Sequence, residues 1–426
     1  MIAFFRLFVV LALIILLGFQ LSTFFQSVAN ILRPFAEDFD IRGSSHDALV
    51  HHWMHAIAQG EPLISINSSV DDKVISELSG AGLYSNMHDF SEKLKAHINF
   101  PSAQETSFRF IDLFAGIGGF RLALQGQGGF CVFSSEWDKS AQQTYLNNYG
   151  ELPFGDITAF TGQDISDEQL DNLIPDHDVL AGGFPCQPFS HAGVSARTSV
   201  GKEHGFECNT QGTLFFDIMR IASVKRPKVL FLENVRNIER HDKGQTFKII
   251  KESIENLGYV FKHAIVDSSS LVPQRRVRCY MVCVRADLDL DFQFPDFEGD
   301  PIPLRSILEE SVDPKYTISD RLWLGHINRT QRNLDRGTGF TAFTANLDRP
   351  SNTLVARYGK DGKECLIPQE GKNPRLLTPR ECARLQGYPE NFIIPDARTP
   401  AYKQFGNSVS VPVISRISEE IVSLIT

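Results

Sequence analysis

A chain of 426 residues with 42% hydrophobic and 22% charged residues holds enough apolar material for two domains with cores, or one large domain with an extension; peptide-scale, wholly disordered, collagen-like and coiled-coil readings are excluded. Lys plus Arg number 42 against 51 Asp plus Glu, a formal charge of −9, so any nucleic-acid site must be a local basic groove rather than a generally basic surface. The seven cysteines are odd in number and none pair as Cys-x-x-Cys, which favours free thiols in a reducing compartment over a disulfide framework or a zinc site.

The first segment, residues 1–34, is anomalous. Leu7 to Phe19 is an unbroken apolar run that reaches Phe25 if Gln20, Ser22 and Thr23 are tolerated, close to the length that crosses a bilayer. Arg6 before it and Ser27-Val28-Ala29 after it also resemble an export signal with a small-residue cleavage site. A membrane anchor, an export signal and translated upstream sequence are three open readings, and residues 7–25 are the one route to membrane contact. Residues 35–106 form an acidic, helical extension: Ala48 to Ala58 and Val74 to Leu83 carry apolar residues at three- and four-residue spacing, broken near Gly60, Gly80 and Gly82. Few Lys or Arg occur there, so the extension is a packing or interaction module rather than a phosphate grip.

After Pro101 short apolar runs alternate with amphipathic stretches. Phe108 to Leu113, Gly129 to Ser134, His177 to Ala181, Lys228 to Leu232 and Arg278 to Val284 read as buried strands separated by helices. The fold class is therefore α/β, a mostly parallel sheet with helices on both faces and ligands at the carboxyl ends of its strands.

Phe110 to Phe120 runs from a strand into the turn Ala115-Gly116-Ile117-Gly118-Gly119, where the backbone can approach a ligand and the following helix start offers N–H donors. About twenty residues on stands Glu136, placed to accept both ribose hydroxyls of a nucleoside, with Trp137 beside it to stack on a base. Asp156, in Gly155-Asp156-Ile157-Thr158, closes a third strand in this reading and accepts an adenine amino proton. The turn lacks the G-x-G-x-x-G geometry that cradles a pyrophosphate, and S-adenosylmethionine, which has no phosphates, needs none.

Ala181 to Ser190 follows a buried strand and contains Pro185-Cys186-Gln187-Pro188, so the thiol of Cys186 is aimed by a stiff backbone. Phe231-Leu232-Glu233-Asn234-Val235 brings a carboxyl group to the same sheet edge, where it can cap a helix or hydrogen-bond a heteroaromatic ring. Gln274, Arg276 and Arg278 share one face of the next strand; that face is either a solvated edge or a holder for a base, a phosphate or the glutamate.

These segments, in order, resemble the motifs of the DNA (cytosine-5) methyltransferases: the Phe-Ala-Gly-x-Gly-Gly turn, Pro-Cys-Gln, Glu-Asn-Val and Gln-x-Arg-x-Arg, then Arg375 to Pro389 and Gln404 to Val409, which are similar to the family's ninth and tenth motifs. Gly201 to Phe216, Asp242-Lys243-Gly244 and Ala356 to Gly362 further resemble the bacterial Dcm-type branch. The resemblance implies a Rossmann-like S-adenosylmethionine-dependent methyltransferase sheet with a smaller target-recognition domain: catalytic residues 107–286, target recognition 287–394, and a return to the catalytic domain over 395–426. It implies that Cys186 attacks carbon 6 of a flipped cytosine in double-stranded DNA and that Glu233 contacts the ring nitrogen and amine. Arg276 and Arg278 would then steady the base and orient that carboxylate. It also implies that Phe114, Glu136, Trp137, Asp156, Pro185 and Asn407 surround S-adenosylmethionine above a floor shaped by Gly116, Gly118 and Gly119. The loop after Ser190, with Arg197 and Lys202, would close on DNA, and Arg329, Arg332, Arg336, Arg349, Arg357 and Lys360 would contact it. The expected enzyme uses no metal, acts as a monomer on DNA, serves restriction-modification or genome marking and works in the cytoplasm. An RNA cytosine methyltransferase usually carries a second Cys-Phe-Thr element, which is absent here; a DNA-binding regulator without catalysis would not need Cys186, Glu233 and Arg276 together. A membrane-anchored sensor would use the apolar N-terminus instead.

Overall fold

In this computed structural model, residues 23–64, 70–185, 214–337 and 344–426 are described. Six strands, β1 (Phe108–Leu113), β2 (Gly129–Ser135), β3 (Val179–Gly183), β4 (Val229–Val235), β5 (Tyr259–Asp267) and β6 (Val277–Arg285), form one sheet in the order β2-β1-β3-β4-β6-β5. The first four are mutually parallel, and β6 runs antiparallel to both β4 and β5. The strand β5 is not expected from the sequence, because its burial alternates weakly and polar residues interrupt it: Lys262 and His263 sit mid-strand.

Successive side chains on the strands enter two different cores, which is why these strands read as continuous apolar runs. Leu180, Leu230, Leu232 and Met281 pack on one face; Val179, Ala181, Phe231, Tyr280 and Val282 pack on the other. The first face is covered by helices 23–36 (α1), His46–Gln59 (α2), Val70–Gly80 (α3) and Met87–Lys95 (α4), joined further along the chain by Leu214–Lys225 and Gln245–Asn256. The second is covered by Gly119–Gly126 (α5), Lys139–Tyr149 (α6), the smaller lobe and the closing helix Val411–Ile425.

The apolar N-terminal segment lies outside the described residues up to 22. Its continuation is α1, whose Val28, Ala29, Leu32 and Ala36 are buried in the same core as Leu49 and Trp53, so the division drawn at residue 34 falls within one packed helix. Ser27-Val28-Ala29, read as a cleavage site, is thus part of a core-facing helical turn. Among the described residues no helix is long and apolar enough to cross a membrane.

The smaller lobe holds the helix Asp320–Asp335 and a hairpin of β7 (Ile367–Gln369) and β8 (Lys372–Arg375). The acidic stretch before it packs rather than dangles: Phe292 is buried and stacks edge-on with Phe294, while Phe297 lies under Arg416. A bidentate ion pair of Arg375 with Glu381, both buried, stiffens the passage from the lobe back to the sheet.

Candidate functional site at the carboxyl rim of the sheet

At the end of β1 the backbone turns through Phe114 at φ +55°, Gly116 at φ +57° and Gly118 at φ +81°. Phe114 pays for its left-handed conformation with a steric strain that glycine escapes, and such outliers cluster at ligand sites. The glycines play different parts. Gly116 faces space in which a Cβ would meet no atom closer than the Phe114 carbonyl at 4.0 Å. A Cβ on Gly118 would collide with the Tyr149 ring, and one on Gly119 would come within 2.6 Å of Val409 Cγ2 and 2.9 Å of Tyr388 Oη. Gly119 therefore admits the C-terminal segment, and of the three glycines Gly116 alone faces space that no described residue fills.

Glu136 follows β2 and is 7% exposed. Its carboxylate accepts from Gly116 N–H at 2.8 Å and from Asp138 N–H at 2.7 Å, so it ties the glycine turn to the start of α6 and keeps lone pairs for a further donor. Burial raises its pKa, against the pull of those N–H groups. Trp137 beside it is 76% exposed, a large aromatic face without cover. Asp156 does not close a strand as expected: only a single bridge, Ser135 to Phe154, continues the sheet there, because Gly155 and Asp156 turn away immediately. Asp156 is exposed and accepts from Thr158 N–H at 3.0 Å. Asn407 is an exposed residue at the end of the helix Arg398–Asn407.

The neighbouring strand ends carry the second group. Gly183 on β3 is in register with Glu233 on β4, and a Cβ at Gly183 would stand 3.2 Å from Glu233 Oε2. Asn234 donates to the Phe184 carbonyl at 3.0 Å and so holds the chain that leads into Pro185. Cys186 and the loop after it, including Arg197 and Lys202, lie outside the described residues; Pro185, exposed, is the last residue before them. Glu233 is 8% exposed, and burial pushes its carboxyl above the ordinary range while Arg278 and Arg276 pull it back.

The two arginines divide the work differently from the expectation. Arg278 alone reaches the carboxylate, Nε to Oε1 at 3.0 Å. Arg276 instead donates to the carbonyls of Leu354 at 3.1 Å, Gly406 at 3.4 Å and Ser408 at 2.6 Å. The reason is position: Arg278 lies on β6 opposite Val235, two residues past the glutamate on β4, whereas Arg276 precedes the strand, where the smaller lobe and the C-terminal segment meet. Burial and Arg278 lower the Arg276 pKa to about 10. Gln274 completes this seam, donating to Leu385 O at 3.0 Å and accepting Leu354 N–H at 2.6 Å. The face of Gln274, Arg276 and Arg278 is thus an internal one, and β6 is an interior strand rather than a solvated edge.

Asp112 escaped the sequence reading, hidden inside an apolar strand. It is 1% exposed beneath the glycine turn, neither carboxyl oxygen has a hydrogen-bond partner among the described residues, and burial raises its pKa well above the carboxylate range. The signal that could have found it was a charged residue in a run otherwise bound for the core.

In the smaller lobe Arg332, Arg336, Arg349, Arg357 and Lys360 are exposed, while Arg329 turns to Asp361 and His326. Among the described residues no group of His, Cys, Asp and Glu could hold a metal ion.

Residues 108–423 match the family described as C-5 cytosine-specific DNA methylase. The chain is 48% identical over 346 residues to the Type II methyltransferase M.SsoII of Shigella sonnei, covering 78% of this chain and 86% of that protein. It is 41% identical over 388 residues to the DNA-cytosine methyltransferase of Escherichia coli K12, covering 78% and 82%. Among solved structures it resembles a DNMT2 variant from Spodoptera frugiperda, with a TM-score of 0.56 at 19% identity over 74% of this chain and all of that one.

Proposed function

The chain belongs to the C-5 cytosine-specific DNA methylase family and is a DNA cytosine-5 methyltransferase; from that premise we propose how its residues carry the reaction. The observation that supports the reading most is the convergence of separate motifs on one rim: Glu233 stands in register with Gly183, three residues before Cys186, and Arg278 grips its carboxylate.

Cytosine carbon 5 is a weak nucleophile until electron density enters the ring. The Cys186 thiolate adds to carbon 6, forming an S–C6 bond and pushing electrons to carbon 5. Glu233, whose burial favours the protonated form, donates toward the ring nitrogen, and Arg278 keeps the carboxyl in place as charge builds. S-adenosylmethionine, when bound, would supply its sulfonium methyl group to carbon 5, the S–CH3 bond breaking to leave the neutral thioether S-adenosylhomocysteine. Loss of the carbon 5 proton to a base, with the electron pair expelling Cys186, closes the cycle. Because carbon 6 is stacked in a duplex, the base must first be flipped, at a cost of a few kcal/mol.

The residues around the glycine turn fit S-adenosylmethionine: Gly116 borders space that no described residue fills, Glu136 offers a buried carboxylate for a ribose, Trp137 offers an exposed ring, and no cation is needed for phosphate. Phe114, Pro185, Asp156 and Asn407 complete the pocket, and Gly118 and Gly119 let its walls close. Arg276 acts as a positioning residue rather than a base contact. Residues 287–394 read the target, with arginines on guanine edges or phosphates. The enzyme works in the cytoplasm as a monomer on DNA, in restriction-modification or genome marking.

The test is Cys186→Ala. Methyl transfer should vanish while S-adenosylmethionine binding stays within about two-fold, and a 5-fluorocytosine duplex should trap the unaltered enzyme as a denaturant-resistant adduct. Retained activity in the variant overturns the covalent route.

A further inference from the structure

The family match begins at residue 108, so the N-terminal extension lies outside it. Yet the extension does not simply cover the sheet. Besides contacts such as Arg42 with Asp164 and Glu61 with Arg109, three of its hydrogen bonds fall on residues 150–155, the short segment that leads to Asp156. Ser44 Oγ accepts Gly155 N–H at 2.9 Å, and a Cβ on Gly155 would be in ordinary contact with Ser44 Oγ at 3.4 Å and Cα at 3.8 Å. His51 Nδ1 accepts Leu152 N–H at 3.2 Å, and His55 Nε2 donates to Gly150 O at 3.2 Å. His52 lies against the Phe154 ring, which also stacks on Phe133 of β2.

The far side of the same segment is tied to the end of β2. Glu136 N–H donates to Phe154 O at 2.9 Å, Phe154 N–H to Ser134 O at 2.9 Å, and Ser135 Oγ to Gly155 O at 2.6 Å. With only one sheet bridge of its own, the segment has too few ladder bonds to set its position, and the extension supplies the remaining ones. Glu136 and Asp156 are therefore placed relative to each other by a strip held between β2 and the extension.

We infer that the N-terminal extension is a positioning element for the methyl-donor site: Ser44, His51 and His55 fix segment 150–155 and thereby the spacing of Glu136 and Asp156 around the adenosine moiety of S-adenosylmethionine. The inference rests on the assignment of that pocket under the proposed function. Ser44, His51 and His55 act through the backbone of the segment, which their side chains contact at Gly155, Leu152 and Gly150.

The experiment is equilibrium binding of S-adenosylmethionine to the DNA-free protein, together with steady-state kinetics, on full-length Ser44→Ala and His51→Phe, with Ser44→Thr as the conservative variant and Glu136→Ala as the pocket control. Loss of one hydrogen bond of about 1 kcal/mol corresponds to about five-fold. Each of the first two variants should raise the Kd and KM for S-adenosylmethionine by about five-fold, with kcat and the KM for DNA within two-fold of the unaltered enzyme, and Ser44→Thr should restore donor binding. A donor Kd unchanged in both variants overturns the inference, as does a joint fall of kcat and both affinities, which marks a merely structural role. If Glu136→Ala binds the donor normally, the pocket assignment itself fails; if Glu136→Ala loses the donor while Ser44→Ala and His51→Phe do not, only the positioning role fails.

Discussion

On one face of the sheet the extension holds the rim through Ser44, His51 and His55; on the other, the smaller lobe and C-terminal segment are held through Gln274 and Arg276. Both seams satisfy backbone groups that no strand ladder reaches, and His51, His55, Gln274 and Arg276 within them are buried. Their chemistry differs. His51 must be neutral to accept an N–H, and burial lowers the pKa of His51, His52 and His55 to about 4. Arg276 only donates, and with a pKa of about 10 it remains a cation at any physiological pH. One seam thus has an acid limit that the other lacks.

The sharpest way to break the comparison is Glu151→Gln. Glu151 lies behind the histidines, paired with Arg121 at 2.9 Å with both side chains almost fully buried, and with Ser134 at 2.7 Å; that setting lowers its pKa to about 2. Removing its charge strands a buried guanidinium, and a loss of about 3–5 kcal/mol is expected in urea unfolding. A loss under about 1 kcal/mol would mean that the seam is wet.

Arg276→Met tests the opposite seam. It leaves three buried carbonyls short of a donor, for which a loss of about 3 kcal/mol is expected. Donor binding should weaken as well, because Ser408 sits beside Gly119. Unchanged stability together with lost base binding would return Arg276 to the role first expected of it.

Next comes pH. Histidines with an unfolded pKa near 6.5 and a folded value of about 4 bind more protons in the unfolded state. Their contribution is complete above pH 6.5 and is lost as pH falls toward 4. Between pH 7 and 5 each should cost about 2 kcal/mol, so the stability of His52→Phe should fall less steeply over that interval. His52 is the apt choice because its ring packs at a tilt against Phe154 and phenylalanine preserves that packing. Equal slopes would remove the acid limit from the comparison.

The smallest effect is expected for Arg42→Ala. Its 2.8 Å ion pair with the largely exposed Asp164 also joins the extension to the turn before helix Asp167–Leu173, but a solvated pair contributes under about 1 kcal/mol, and a melting-temperature shift of more than a few degrees would show that the surface contacts matter as much as the buried ones.

The parallel strands, the glycine turn and the acidic and basic motifs were determined by the sequence itself, because each is a local pattern: an apolar run with both faces buried, a turn requiring positive φ, a strand end carrying Glu136 or Glu233. Strand β5 was hidden because its pairing with β6, not its own composition, makes it a strand. What only the tertiary structure decided was which partner each polar group meets. Arg276 and Arg278 are two residues apart on one face, yet one meets a carboxylate and the other three carbonyls, since chain segments more than seventy residues downstream arrive beside only one of them. Likewise no spacing in the sequence relates Ser44 to Gly155 or His51 to Leu152; long-range packing of α2 against the sheet brings them together, and periodicity along a chain carries no information about contacts made across it.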